Sequence, residues 1–170
     1  MKKLIKLTLV VALVLSSTSL FAQKMGRINS QELISLMPET TQMQTDLQTY
    51  ATELNAQIEE VQVELNNKFA DFQKKQATMK DLERQVAEKE MNELGARLEQ
   101  FRQVASEDFA KKQQELFAPI QEKAMAAIEK VAKAGGYAVV IDLAAGSMIY
   151  IDEAQVADIL PAVKAELGIK

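Results

Sequence analysis

The chain has 170 residues, with 20 basic and 24 acidic side chains, a net charge of −4, and neither cysteine nor histidine. That composition excludes disulfides, thiolate metal sites and imidazole-based catalysis. The acidic balance also argues against a nucleic-acid partner, since phosphate binding needs a basic surface.

Lys2, Lys3 and Lys6 precede an apolar run from Leu7 to Leu15, and polar residues Ser16 to Ser19 then lead to Leu20, Phe21 and Ala22. This is the layout of a cleaved signal peptide over residues 1–22, which predicts export to the periplasm. The run is too short for a permanent span, so no stable membrane insertion is expected. Without the leader's three lysines the net charge becomes −7. The remaining chain of about 148 residues has the length of one domain.

Lys24 to Asn29 reads as a short strand containing Ile28. Between Glu39 and Lys133 there is a single proline, Pro119, and a single glycine, Gly95. Rich in Ala, Leu, Glu, Lys and Gln, that stretch reads as helix. Apolar residues recur at Met43, Leu47, Tyr50, Leu54, Ile58, Val61, Leu65, Phe69 and Phe72, a 4-3-4 spacing that repeats every eleven residues. Such a repeat keeps one stripe on one face without strong left-handed supercoiling. A second stripe runs through Met91, Leu94, Leu98, Phe101, Ala105, Phe109, Leu116 and Ile120.

Two helices fit these stripes better than one. Lys74 and Lys75 suit a last helical turn, and Thr78 with Asp81 has capping-box spacing. A fold-back near residues 77–79 pairs Leu65 with Met91, Ile58 with Leu98, Leu47 with Phe109 and Leu36 with Ile120, which brings the stripes together in register. One continuous helix is the alternative, because the tip has neither Gly nor Pro. Arms of about 37 residues would extend roughly 55 Å.

Gly135 and Gly136 end the helical stretch. Tyr137 to Asp142, containing Val139, Val140 and Ile141, reads as a strand, and Met148 to Asp152, containing Ile149 and Ile151, as its hairpin partner across Ala144, Ala145 and Gly146. Asp158 can cap a last helix that holds Pro161 in its first turn and closes at Gly168. Residues 23–38 and 134–170 therefore form a β body with a C-terminal helix, and 39–133 form the arm. Three short strands make a poor core alone, so the body is expected to assemble with further copies into a shared barrel through Ile28, Val139, Val140, Ile141, Ile149 and Ile151.

The order of these elements carries a resemblance: Gly26-Arg27-Ile28-Asn29, the hairpin from Glu39 to Lys133, Tyr137 to Asp142, and the Asp158-Ile159 start of the last helix. The chain resembles the Skp (OmpH-like) periplasmic chaperones across its whole mature length. The resemblance implies a mainly α fold in which a long antiparallel helical-hairpin arm projects from a small oligomeric β-barrel. It further implies a homotrimer that encloses unfolded outer-membrane proteins without ATP. The charge departs from the strongly basic members, because Glu39 to Glu64 carries six acids and no base.

No catalytic group is expected, and no cofactor or metal. The Gly135-Gly136 pair leads into a strand, with no Gly-Lys-Ser or Gly-Lys-Thr following to cradle a phosphate. Carboxylate neighbours such as Glu59 and Glu60 point in different directions on a helix. Client contact falls instead to apolar and flexible side chains beside or within the distal stripes: Val63, Phe69, Phe72, Met79, Met91, Val104 and Phe117. A structural coiled-coil spacer of the cell envelope needs the same helices and is the alternative function.

Overall fold

The computed structural model describes residues 24–146 and 149–169 of the protein. The signal-peptide reading of residues 1–22, and Met148, lie outside the described residues. In chain order the elements are β1 (Lys24–Ile28), α1 (Ser30–Leu36), α2 (Pro38–Lys75), α3 (Asp81–Ala134), β2 (Tyr137–Asp142), a 3-10 turn (Leu143–Ala145), β3 (Val156–Asp158) and α4 (Leu160–Leu167). The protein is mostly helical, with one three-stranded sheet among the described residues. It divides into two compact units, Met37–Gln121 and the segment up to Leu36 together with Glu122 onward.

The first unit is an antiparallel hairpin of α2 and α3. Pro38 opens α2 at a position where its missing N–H costs nothing. Thr45, Thr49 and Thr52 donate their hydroxyls to the carbonyls of Thr41, Thr45 and Gln48 one turn back, which satisfies polar β-branched side chains inside a helix. Lys74 and Lys75 occupy the last turn of α2, where the helix dipole favours cations. The turn spans residues 76–80. Glu83 Oε2 accepts the Lys80 N–H at 3.1 Å, the return half of a capping box at the start of α3. Thr78 does not take the capping role expected of it. Its hydroxyl and its N–H both donate to the Lys75 carbonyl, at 3.0 and 2.9 Å, which ties Thr78 back to the end of α2.

Both stripes face inward along most of the hairpin. Leu47, Leu94, Leu98, Ala105 and Ile120 are buried, and Tyr50, Leu54, Ile58, Leu65, Phe101 and Phe109 are half-buried. The eleven-residue spacing fails at one position. Phe69 is 53% exposed, and Lys68 takes the inward position between Leu65 and Phe72. The step of three from Leu65 to Lys68 stays on the side that faces α3, and the step of four to Phe69 turns that side chain to solvent.

In the second unit the strand order is β2-β1-β3 and both pairings are parallel. Among the described residues the expected β-hairpin is therefore not formed. Ile149 is fully exposed and Ile151 half-buried in the irregular segment after Gly146, while the third strand is Val156–Asp158, paired with Met25 to Arg27. Two carboxylates account for the difference. Asp142 Oδ1 accepts the Ala144 N–H at 3.0 Å and winds the chain into a 3-10 turn ended by Gly146 at φ +68°. Asp152 Oδ1 accepts the Ala154 N–H at 3.0 Å and turns it again just before β3.

Ile28, Leu33, Ala124, Ala127, Ile128, Val156, Ile159 and Val163 are the buried apolar residues of this unit. α1 has no counterpart in the sequence-based expectation. Asn29 Oδ1 caps it by accepting the Glu32 N–H at 3.0 Å. At the other end of the chain Asp158 Oδ1 accepts the Leu160 N–H at 2.9 Å, and Gly168 closes α4 in the left-handed region. The Tyr137 ring packs against two glycines, since a Cβ on Gly26 would lie 3.2 Å from it and one on Gly135 only 2.4 Å.

Candidate functional site

The described residues hold no group of three or more Asp or Glu arranged to ligate a metal, and no helix among them is long and apolar enough to cross a membrane. The features able to meet a partner include apolar side chains turned to solvent and a groove in the hairpin seam.

Of the seven residues expected to touch a client, Val63, Phe69 and Val104 are exposed at 47%, 53% and 43%. Phe72, Met79, Met91 and Phe117 are half-buried along the hairpin. The structure therefore spreads these side chains along the hairpin and does not gather them into one pocket. Sequence reasoning missed two others. Leu82 and Val86 are 72% and 48% exposed and lie one turn apart on the same face of α3. Their signal was legible as an apolar i, i+4 pair just before the second stripe begins.

Packing in the distal hairpin is thin. No residue from 48 to 93 is buried, whereas Leu47, Leu94, Leu98 and Ala105 are. There the stripe residues are at most half-buried, and polar links between the helices add to them. Lys68 Nζ donates to Glu90 Oε2 at 2.8 Å across the two helices. The hydrogen bond from Lys68, and then its charge, hold the Glu90 carboxyl below the usual range, while the same contact raises the Lys68 ammonium. Nearer the middle, Arg102 Nη2 donates to Gln62 Oε1 at 2.8 Å. Beside that link a groove of about 300 Å³ opens along the seam, lined by Ala51, Leu54, Ile58, Arg102, Ala105 and Phe109 among others.

The residues expected to form an oligomeric body lie as follows. Ile28 is buried within the chain's own sheet, Val140, Ile141 and Ile151 are half-buried, and Val139, Ile149 and Tyr150 are each exposed. β2 and β3 are the two edges of the sheet.

The protein family described as outer membrane protein (OmpH-like) matches residues 24–167. The crystal structure of an OmpH-like protein from Caulobacter crescentus CB15 superposes with a TM-score of 0.72. The two sequences are 16% identical, and the match covers 85% of this chain and 83% of that one, a likeness of fold. No match is found among curated proteins.

Proposed function

The chain belongs to the OmpH-like family, and from that premise we propose that it is an ATP-independent holding chaperone of the periplasm, which binds unfolded outer-membrane proteins and prevents their aggregation. The observation that carries this reading is the distal hairpin, where Val63, Phe69, Leu82 and Val86 stand exposed over a seam that buries no side chain from residue 48 to 93. Exposed apolar groups on a weakly packed element can adapt to many sequences, which is what a promiscuous binder needs. An envelope spacer would need the same two helices without those side chains in solvent.

The holding unit is a homotrimer. Three chains would join through the open edges of the sheet and the exposed Val139, Ile149 and Tyr150, and enclose the client between their hairpins. Each contact is weak, and several hairpins acting on one chain supply the affinity. Holding of this kind involves no bond making and no cofactor, so the protein is not an enzyme. Light scattering of a denatured β-barrel protein, diluted with and without the chaperone and with and without ATP, tests the proposal. Suppression of scattering that is independent of nucleotide supports it, and unchanged aggregation or a requirement for ATP overturns it.

A further inference from the structure

The groove in the hairpin seam has a chemistry distinct from the exposed apolar tip. Ala51 and Ala105 leave the space between the helices unfilled, and Leu54, Ile58 and Phe109 wall it with apolar surface. Its volume of about 300 Å³ exceeds the ~150 Å³ that suffices to hold a benzene ring. Arg102 is the single charged residue on its lining. That guanidinium donates to the neutral amide oxygen of Gln62, and among the described residues no carboxylate lies within ion-pairing distance of it. An apolar slot with an unneutralised, fork-shaped donor at its rim is complementary to an apolar body bearing a carboxylate at short range.

Resting on the holding function above, we propose that this groove is a client subsite that takes a large apolar side chain, aromatic or branched, from an extended segment in which an Asp or Glu lies next to that residue and reaches Arg102. The acidic stretch from Glu39 to Glu64 sharpens the preference. It repels segments dense in acids, so the favoured sequence has one carboxylate beside the apolar residue and is otherwise neutral. Contacts beyond about 8 Å are screened at physiological salt, which leaves the local pair to discriminate.

Two fluorescent peptides of identical composition test this, one with Asp adjacent to its single Phe and one with the same Asp moved several residues away. Binding to the full protein, followed by anisotropy, is expected to favour the adjacent peptide about three- to fivefold, the scale of a partly exposed ion pair. Arg102→Gln should equalise the two peptides. Ala105→Leu, which fills the slot, should weaken both, and Ala51→Leu fills it from the opposite helix should the first variant lose helicity by circular dichroism. Equal binding of the two peptides by the parent protein overturns the proposal, as does a preference that survives Arg102→Gln or unchanged binding in both filled variants. Binding of dodecanoate with neither peptide bound also overturns it, in favour of a lipid. If the parent protein suppresses aggregation while these outcomes fail, the subsite is wrong and the holding function stands. If it does not suppress aggregation, the holding function itself has failed.

Discussion

Asp142 and Ser30, separated by 112 positions in the chain, are joined by two hydrogen bonds: Ser30 Oγ donates to Asp142 Oδ2 at 2.5 Å, and Ser30 N donates to Asp142 Oδ1 at 3.0 Å. One carboxylate thus satisfies the first turn of α1 and, through Ala144 N, the 3-10 turn after β2. It fastens the ends of two neighbouring parallel strands, because Ile28 and Asp142 are register partners. Burial works to raise the Asp142 carboxyl, but the hydrogen bonds from the Ser30 hydroxyl, the Ser30 amide and the Ala144 amide together outweigh it and hold the group below its ordinary value.

Asp142→Ala should therefore lower stability by about 1 kcal/mol, below the usual ~1.5–3 kcal/mol for hydrogen bonds to a charged group because this one is largely exposed. The pH dependence has a fixed sign. A carboxyl depressed in the folded state contributes stability above its unfolded value of about 3.9, and that contribution disappears as pH falls through the lower folded value. Urea unfolding of parent and variant at pH 7 should show the full difference, and the two midpoints should draw together as pH falls below the ordinary carboxyl range. A difference that persists in acid would mean the carboxylate charge is not what stabilises this corner.

The pair of Lys68 and Glu90 gives a second test, placed where the hairpin buries least. Removing the ammonium with Lys68→Met should let the Glu90 carboxyl return toward its ordinary range, an upward move readable by carbon-detected NMR titration. Exchanging the two residues, Lys68→Glu with Glu90→Lys, should restore the link, whereas Lys68→Glu alone sets two carboxylates face to face. Amide exchange near the tip should be fastest in that single variant and should return toward the parent rate in the exchanged pair. Raised salt should shrink the contrast.

How legible each element was follows from where its determinants lie. The hairpin was readable because a helix writes its buried face into local periodicity, and two stripes about a polar turn near Thr78 permit few other arrangements. Phe69 escaped because a one-dimensional spacing does not say whether the seam advances by three or four residues at a given turn; contact with α3 decides that, and there Lys68 meets Glu90. Tyr137 to Asp142 was readable as a β-branched run. β3 was not, because Val156-Ala157-Asp158 is extended only through pairing with β1, a partner 131 residues away at Met25. Ile149 and Ile151 misled for the converse reason: they alternate as a strand does, but Asp142 and Asp152 each capture a backbone N–H and bracket the segment with turns. In the candidate site, residue type indicated Val63 and Val104, while the groove beside Arg102 is a gap between two helices and has no sequence signature.

The Tyr137 ring makes a third prediction about packing. Gly135→Ala would set a methyl 2.4 Å from Cε2 and 2.8 Å from Cδ2 of the ring and 3.1 Å from the Val131 carbonyl. The ring is not free to swing, since Lys24 Nζ lies 4.2 Å from its centre while donating to the Gly135 carbonyl at 2.9 Å. Overpacking of this kind costs about 1–3 kcal/mol. Tyr137→Leu should suppress much of that loss in the double variant. Thermal melts of the four proteins give the coupling directly, and additive effects would show that the ring is not the obstacle.

The hairpin tip allows the holding function to be separated from folding by deletion. Residues 71–88 include Phe72, Met79, Leu82 and Val86, and every one of the eighteen is exposed or half-buried. Removing them and rejoining Ala70 to Lys89 through a short turn therefore takes away no buried side chain, and it keeps Lys68 and Glu90 beside the new turn together with Leu94, Leu98 and Ala105 along the remaining seam. The shortened protein should melt within a few degrees of the parent, because stability rests on buried apolar area that the deletion leaves in place. Its ability to suppress aggregation of a diluted, unfolded β-barrel protein should fall severalfold, since Leu82 and Val86 are gone and fewer exposed apolar groups remain to act together on one client. Static light scattering at matched protomer concentration reads that loss, and sizing chromatography shows whether assembly is retained. Equal protection by the shortened and parent proteins would place client contact elsewhere on the chain, while loss of the fold itself would show that the tip contributes stability its exposed side chains do not reveal.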